Sequence, residues 1–191
     1  DVKDFLYFKI DRKKKILAST LLLALGFTKK EIADEFYEYE TFLYDTKNQK
    51  WKTKFNPENY KSKNFSEEII DAKTNKIIIK KGEKINYLKA KKLHTEGLKE
   101  IYVSNQFLYG KYLVKQFSIS EDVFKIGTEL NETIINKAID ENINILETAY
   151  TNSINKGPYL LQTIFNDKNE TKNDAINEIY KVLRPGEPPT I

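Results

Sequence analysis

The alternation of apolar and polar positions over residues 4–10 (DFLYFKI), with its three aromatic side chains, predicts a strand. A basic turn follows in DRKKK (11–15). The run ILASTLLLALGF (16–27) predicts a buried helix stopped at Gly26. Thr28 and Glu31 have the spacing of a capping box, and Ile32 and Phe36 lie one turn apart on the helix it opens. Residues 38–55 predict a hairpin. Phe42 and Tyr44 share a face of its first strand, Trp51, Thr53 and Phe55 share a face of its second, and TKNQ turns between them. Pro158 opens a short helix, residues 166–174 form a polar loop, and AINEIYKVL carries Ile176, Ile179, Tyr180 and Leu183 as the apolar face of a last helix. Pro185 ends that helix at Arg184.

The middle of the chain repeats itself. Residues 76–103 and 122–150 align at an offset of 45, with Gly82 on Gly127 and with Ile85, Leu98 and Ile101 on Leu130, Ile143 and Leu146. Each copy predicts a strand, a glycine turn, a short helix and a strand. Two copies are too few for a solenoid. Between them, QFLYGKYLVKQFSI predicts a hairpin hinged at Gly110.

Composition narrows the function classes. The 191 residues contain no cysteine, so disulfides and thiolate metal sites are excluded. No apolar run reaches the eighteen residues of a membrane span, and residues 1–15 lack the order of a signal peptide. The chain has no methionine, even at its first position, which suggests a piece of a longer protein. The net charge of +4 is compatible with nucleic acid without requiring it. Nearly all the basic residues are lysine. The two arginines, Arg12 and Arg184, offer planar forks where lysine offers a point charge.

No catalytic constellation stands out. His94 is the single histidine and has no cysteine with which to share a metal. There is no Gly-rich phosphate loop and no nucleophile elbow. Residues 17–37 have the outline of a helix-turn-helix, but the second helix is strongly acidic and would be repelled by phosphate. A stand-alone protein-interaction module built on the repeat is a further alternative. The basic run DRKKK suits phosphate contacts, each releasing counterions, and equally suits an ordinary solvated face.

Three segments carry a family resemblance. FKIDRKKKILASTLLLALGF resembles the bacterial RNA polymerase β-subunit pattern I-D-R-[RK]-[RK]-K-L-P-A-T-x-L-L-R-A-L-G-[YF]. NKGPYLLQTI resembles G-P-Y-[IL]-x-x-T-[LI], and EIYKVLRPGEPPT resembles E-I-Y-[RK]-x-[ML]-R-P-G-E-P-P-T. Leu17 departs from the family's proline and Leu23 from its frequent arginine.

The resemblance implies an α+β fold, the lobe (β2) domain of that subunit: a small helical and strand lobe formed by residues 1–37 and 157–191. Residues 38–156 would be a lineage-specific inserted α+β domain containing the two similar strand-helix-strand modules. It implies a cytoplasmic, nucleoid-associated part of a DNA-directed nucleotidyltransferase, with no catalytic residues and no cofactor of its own in this fragment. The implied role is one wall of the DNA cleft, with Asp11, Arg12, Lys13, Lys14, Lys15, Arg184 and Glu187 facing DNA, along with Pro185 and Gly186 of the same motif. The implied partners are DNA, the β′, α, ω and σ subunits, and transcription regulators at the insertion, with no membrane.

Overall fold

The structure is a computed structural model describing residues 4–60 and 63–188. Pro189 and Thr190, the end of the third family motif, lie outside the described residues. Helices and antiparallel sheets are mixed throughout, giving an α+β fold. The chain divides into two compact units. The first comprises residues 1–38, 112–128 and 151–191; the second comprises 39–111 and 129–150. Residues 112–128, inside the segment predicted to be inserted, thus fall within the first unit.

The first unit opens with strands β1 (Tyr7–Asp11) and β2 (Lys14–Leu17), an antiparallel hairpin irregular between Lys9 and Asp11. Helix α1 (Ala18–Ala24) follows directly. Ile16 and Leu17, predicted as the start of that helix, instead complete β2, where Leu17 pairs with Tyr7. Leu17 has φ −61, the angle at which a proline ring would hold it. A proline would be compatible with this backbone angle. Leu23 lies in the core, so the other departure replaces a polar side chain with apolar packing. Helix α2 (Lys29–Phe36) starts at Thr28, whose hydroxyl accepts the Glu31 amide. Ile32 and Ala33 are its buried face, whereas Phe36 points outward.

The other helices of this unit are α6 (Tyr159–Asn166) and α7 (Lys172–Leu183), and α1 packs on both. Pro158 is the residue just before α6. A capping box between Thr171 and Asp174 opens α7. The buried side of α7 centres on Ala175, while Ile176 and Leu183 of the predicted apolar face are exposed.

In the second unit, β3 (Tyr39–Asp45) and β4 (Lys50–Lys54) form the predicted hairpin. Asp45 organises its turn: its carboxylate accepts the Lys47 and Asn48 amides, the Asn48 side-chain amide at 2.8 Å, and the Tyr102 hydroxyl at 2.7 Å. The short strands β5 (Lys63–Asn64) and β8 (Lys84–Ile85) pair with one another. β6 (Ile69–Asp71), β7 (Ile77–Ile79), β9 (Glu100–Val103) and β12 (Ile145–Ala149) join the hairpin in a six-stranded sheet of order β12-β3-β4-β9-β6-β7. Phe42, Trp51, Ile69, Ile101 and Leu146 are buried along it.

The repeat has a structural counterpart. Helices α3 (Tyr87–Thr95) and α5 (Glu132–Asp140) begin at Asn86 and Asn131, and each asparagine side chain accepts the amide three residues on. Each helix is followed by a left-handed residue, Gly97 or Asn142, and then by a sheet strand, β9 or β12. These two strands flank the β3–β4 hairpin on opposite sides.

The predicted hairpin at Gly110 does not form. Residues 105–108 are the short helix α4 (Asn105–Leu108), and the hairpin lies further on, between β10 (Phe117–Ile119) and β11 (Asp122–Phe124). Leu113 and Val114, predicted as part of the earlier hairpin, are buried in the first unit. Gly127 accounts for how closely this excursion lies on α6. It has φ +88, and a Cβ placed there would stand 2.4 Å from the Leu161 carbonyl oxygen.

Candidate nucleic-acid interface

The hairpin β1–β2 turns through Arg12 and Lys13, both exposed, and the Asp11 carboxylate accepts the Arg12 amide at 2.6 Å. Lys14 and Lys15, predicted within the turn, are the first residues of β2. Strand geometry sends their side chains to opposite faces. Lys15 Nζ lies 4.0 Å from the centroid of the Tyr7 ring, a cation–π contact. Lys14 Nζ donates to the Leu183 carbonyl oxygen at 3.1 Å. That carbonyl belongs to the last turn of α7, where backbone acceptors lack helical partners and the helix dipole is negative.

Arg184 follows at once, with φ −127 and ψ 75, outside the helical region as expected before proline. The Glu187 amide donates to the Arg184 carbonyl at 3.3 Å, and Gly186 has φ +85. With Pro185 and Gly186 at its two centres, RPGE is a type II turn. The Arg184 guanidinium lies 3.6 Å from the Glu187 carboxylate and 5.9 Å from the Tyr180 ring centroid. Both partners of that ion pair are exposed, so it contributes little to stability.

All seven residues singled out for DNA are therefore on the surface of the first unit. Lys14 is the half-buried member, joining the hairpin to the end of α7. Together they set five cations against two carboxylates. Among the described residues, no three histidine or acidic side chains converge as metal ligands.

Sequence reasoning missed the centre of the unit. Asp167, inside the predicted polar loop, is buried. One carboxylate oxygen accepts the Ser19 and Thr20 hydroxyls at 2.5 and 2.8 Å; the other accepts the backbone and side-chain amides of Asn169, both at 2.9 Å. Lys29 donates to the Asp167 carbonyl and to Glu170, each at 2.9 Å. This network ties α1 and α2 to the loop between α6 and α7. The loop's composition gives no local signal of the tie to α1, because the Ser19 and Thr20 hydroxyls lie 148 and 147 residues away.

The geometry is that of a basic surface patch held at a helix end. No family model matches the chain. Curated proteins do match it over its whole length. A relative from Rickettsia rickettsii (strain Sheila Smith) is 38% identical over 194 aligned positions, and one from Rhizobium leguminosarum bv. trifolii (strain WSM2304) is 34% identical. Each match covers 100% of this chain and 14% of the relative, and both relatives are named DNA-directed RNA polymerase subunit beta. The chain thus spans about 14% of the length of these β-subunit relatives and matches them as a segment of such a subunit.

Proposed function

We propose that this segment is the lobe of a bacterial DNA-directed RNA polymerase β subunit, forming part of the wall of the DNA cleft. Residues 1–37 and 157–191 are its core, and 38–156 is a lineage-specific insertion that offers a docking surface to regulators. Arg12, Lys13, Lys15 and Arg184 lie near phosphates of downstream or separated DNA. Lys14 fixes the hairpin tip to the end of α7, while Asp11 and Glu187 shape the two turns. The contribution is electrostatic and independent of sequence. The chemistry of nucleotide transfer resides elsewhere in the cytoplasmic assembly, where this segment works beside the β′, α, ω and σ subunits.

The observation that carries this reading is the bond from Lys14 to the Leu183 carbonyl. It joins the basic hairpin and the RPGE turn, which lie at opposite ends of the sequence, into one patch. The test is charge reversal, R12E and R184E, in the assembled polymerase, scored by the lifetime of the open complex. Each variant is expected to shorten that lifetime, with the difference from the unmodified polymerase largest at low salt and shrinking as salt is raised. An unchanged lifetime in both removes the assigned role.

A further inference from the structure

In the register of the β1–β2 hairpin, Tyr7 stands directly opposite Leu17 and Lys9 directly opposite Lys15. Residues paired in this way share one face of an antiparallel ribbon, and neighbours in the strand take the other. Tyr7, Lys9, Lys15 and Leu17 therefore line one face, and Phe8, Lys14 and Ile16 the other. The second face turns inward at Ile16, which is buried, and at Lys14, which reaches the end of α7. The first face is open. Tyr7 is 46% exposed, and Lys9 and Lys15 are exposed beside it.

This open face carries a charge arrangement that the fold does not balance. Lys9 and Lys15 are like charges directly opposite one another, which costs stability. Among the described residues, no carboxylate forms an ion pair with either, or with the exposed Arg12 and Lys13 at the hairpin tip. The Lys15 ammonium lies over the Tyr7 ring instead. With one ring face under that ammonium, the surface that Tyr7 still shows is the other face and the edge.

We infer that this face holds an unpaired nucleotide of a separated DNA strand, with its base stacked on the Tyr7 ring and its phosphate between Lys9 and Lys15. An anion placed there relieves the repulsion of the two lysines, and a phosphate supplies it. The exposed ring next to it takes the flat face of a base. Aromatic rings set among cations are how single strands are held without regard to sequence. A duplex offers the phosphates but keeps its bases stacked inside, so Tyr7 favours the separated strand. This rests on the reading of the hairpin as part of the DNA cleft and narrows it: Tyr7 and Lys9 join the patch, and the DNA that meets them is single-stranded.

The experiment is dissociation of open complexes of the assembled polymerase, on promoter DNA with one abasic site at each melted position in turn. Y7A is expected to shorten the open-complex lifetime about fivefold or more, and Y7F to retain it, because the ring is kept. The Y7A loss persists as salt is raised, whereas the losses in K9E and R12E shrink. At one melted position the abasic site shortens the lifetime of the unmodified polymerase by a similar factor. Y7A then adds nothing further, since ring and base act as one pair. This arm leaves the protein untouched, so it separates lost stacking from a disturbed hairpin. Additive losses at every position overturn the inference, as does equal coupling with Phe8→Ala, which removes an aromatic ring from the other face. A lifetime shortened by R12E but unchanged by Y7A overturns it and leaves the cleft reading standing. Unchanged lifetimes in R12E, R184E and Y7A remove both.

Discussion

Lys14 Nζ and the Leu183 carbonyl oxygen are 3.1 Å apart across 169 positions of sequence. The bond brings a cation to the negative end of α7 and satisfies an acceptor that the helix itself leaves open. K14M, which keeps the length of the side chain and removes its charge and donors, is expected to lower stability by about 0.5–1.5 kcal/mol in urea denaturation. K14R is expected to retain most of that stability. Both substitutions should leave the second unit unaltered, checked by hydrogen exchange.

Asp167 predicts a larger effect. Asp167→Ala leaves the Ser19 and Thr20 hydroxyls and the Asn169 amides without their buried acceptor, at a cost of about 2–4 kcal/mol. Asp167→Asn is expected to cost less, because hydroxyls accept as well as donate. A double-mutant cycle with Ser19→Ala and Asp167→Ala should show non-additivity of roughly 0.5–3 kcal/mol, since the two groups share one bond. Additive losses would exclude the direct coupling.

Gly127 and Gly186 make a matched pair. Both have positive φ, at +88 and +85, but a Cβ at Gly186 meets nothing within 4 Å while one at Gly127 meets the Leu161 carbonyl. Gly186→Ala is expected to cost only the backbone term, about 1–2 kcal/mol. Gly127→Ala adds a backbone clash that only displacement of the 112–128 segment relieves, so its loss exceeds that of Gly186→Ala in thermal denaturation. Equal losses would mean that the close approach to α6 is absent.

Asp45 gives a pH-dependent prediction. Hydrogen bonds from the Asn48 side chain first, then from the Tyr102 hydroxyl and the turn amides, hold its carboxyl down at about 2. A carboxyl lowered by folding stabilises the fold above its ordinary range near pH 4, and this contribution fades as pH falls toward about 2. The same bond, with burial, raises Tyr102. That contribution is complete below the ordinary phenol range near pH 10 and fades as pH rises above it. In a carboxyl-carbon NMR titration, N48A should raise the Asp45 pKa more than Y102F does. The reverse order would reassign the main cause.

The parts of this molecule that were legible in its sequence are those specified by neighbours in the chain. The β3–β4 hairpin, the Thr28 cap and the stop of α7 before Pro185 depend on residues within a turn or a strand of one another. The offset of 45 was readable from Gly82 and Gly127 and the apolar positions after them, and the structure adds that Asn86 and Asn131, also 45 apart, each cap their own helix. What the sequence hid depended on distant partners. Ile16 and Leu17 carry a helix-like apolar pattern, yet pairing with Phe8 and Tyr7 makes them strand. Gly110 has the positive φ of a turn residue, but the antiparallel pairing formed beyond it. Asp167 reads as loop until Ser19 and Thr20 are seen beside it.

That last arrangement bears on how the chain is made. Every residue of the second unit has been synthesised once Tyr150 is in place, before α6 and α7 exist. Ser19 and Thr20 must wait for Asp167, which is added 148 and 147 residues later. At ordinary elongation rates that wait is roughly 7–30 s. The first unit is thus begun first and finished last on the ribosome, its nascent α1 holding two hydroxyls for an acceptor not yet translated.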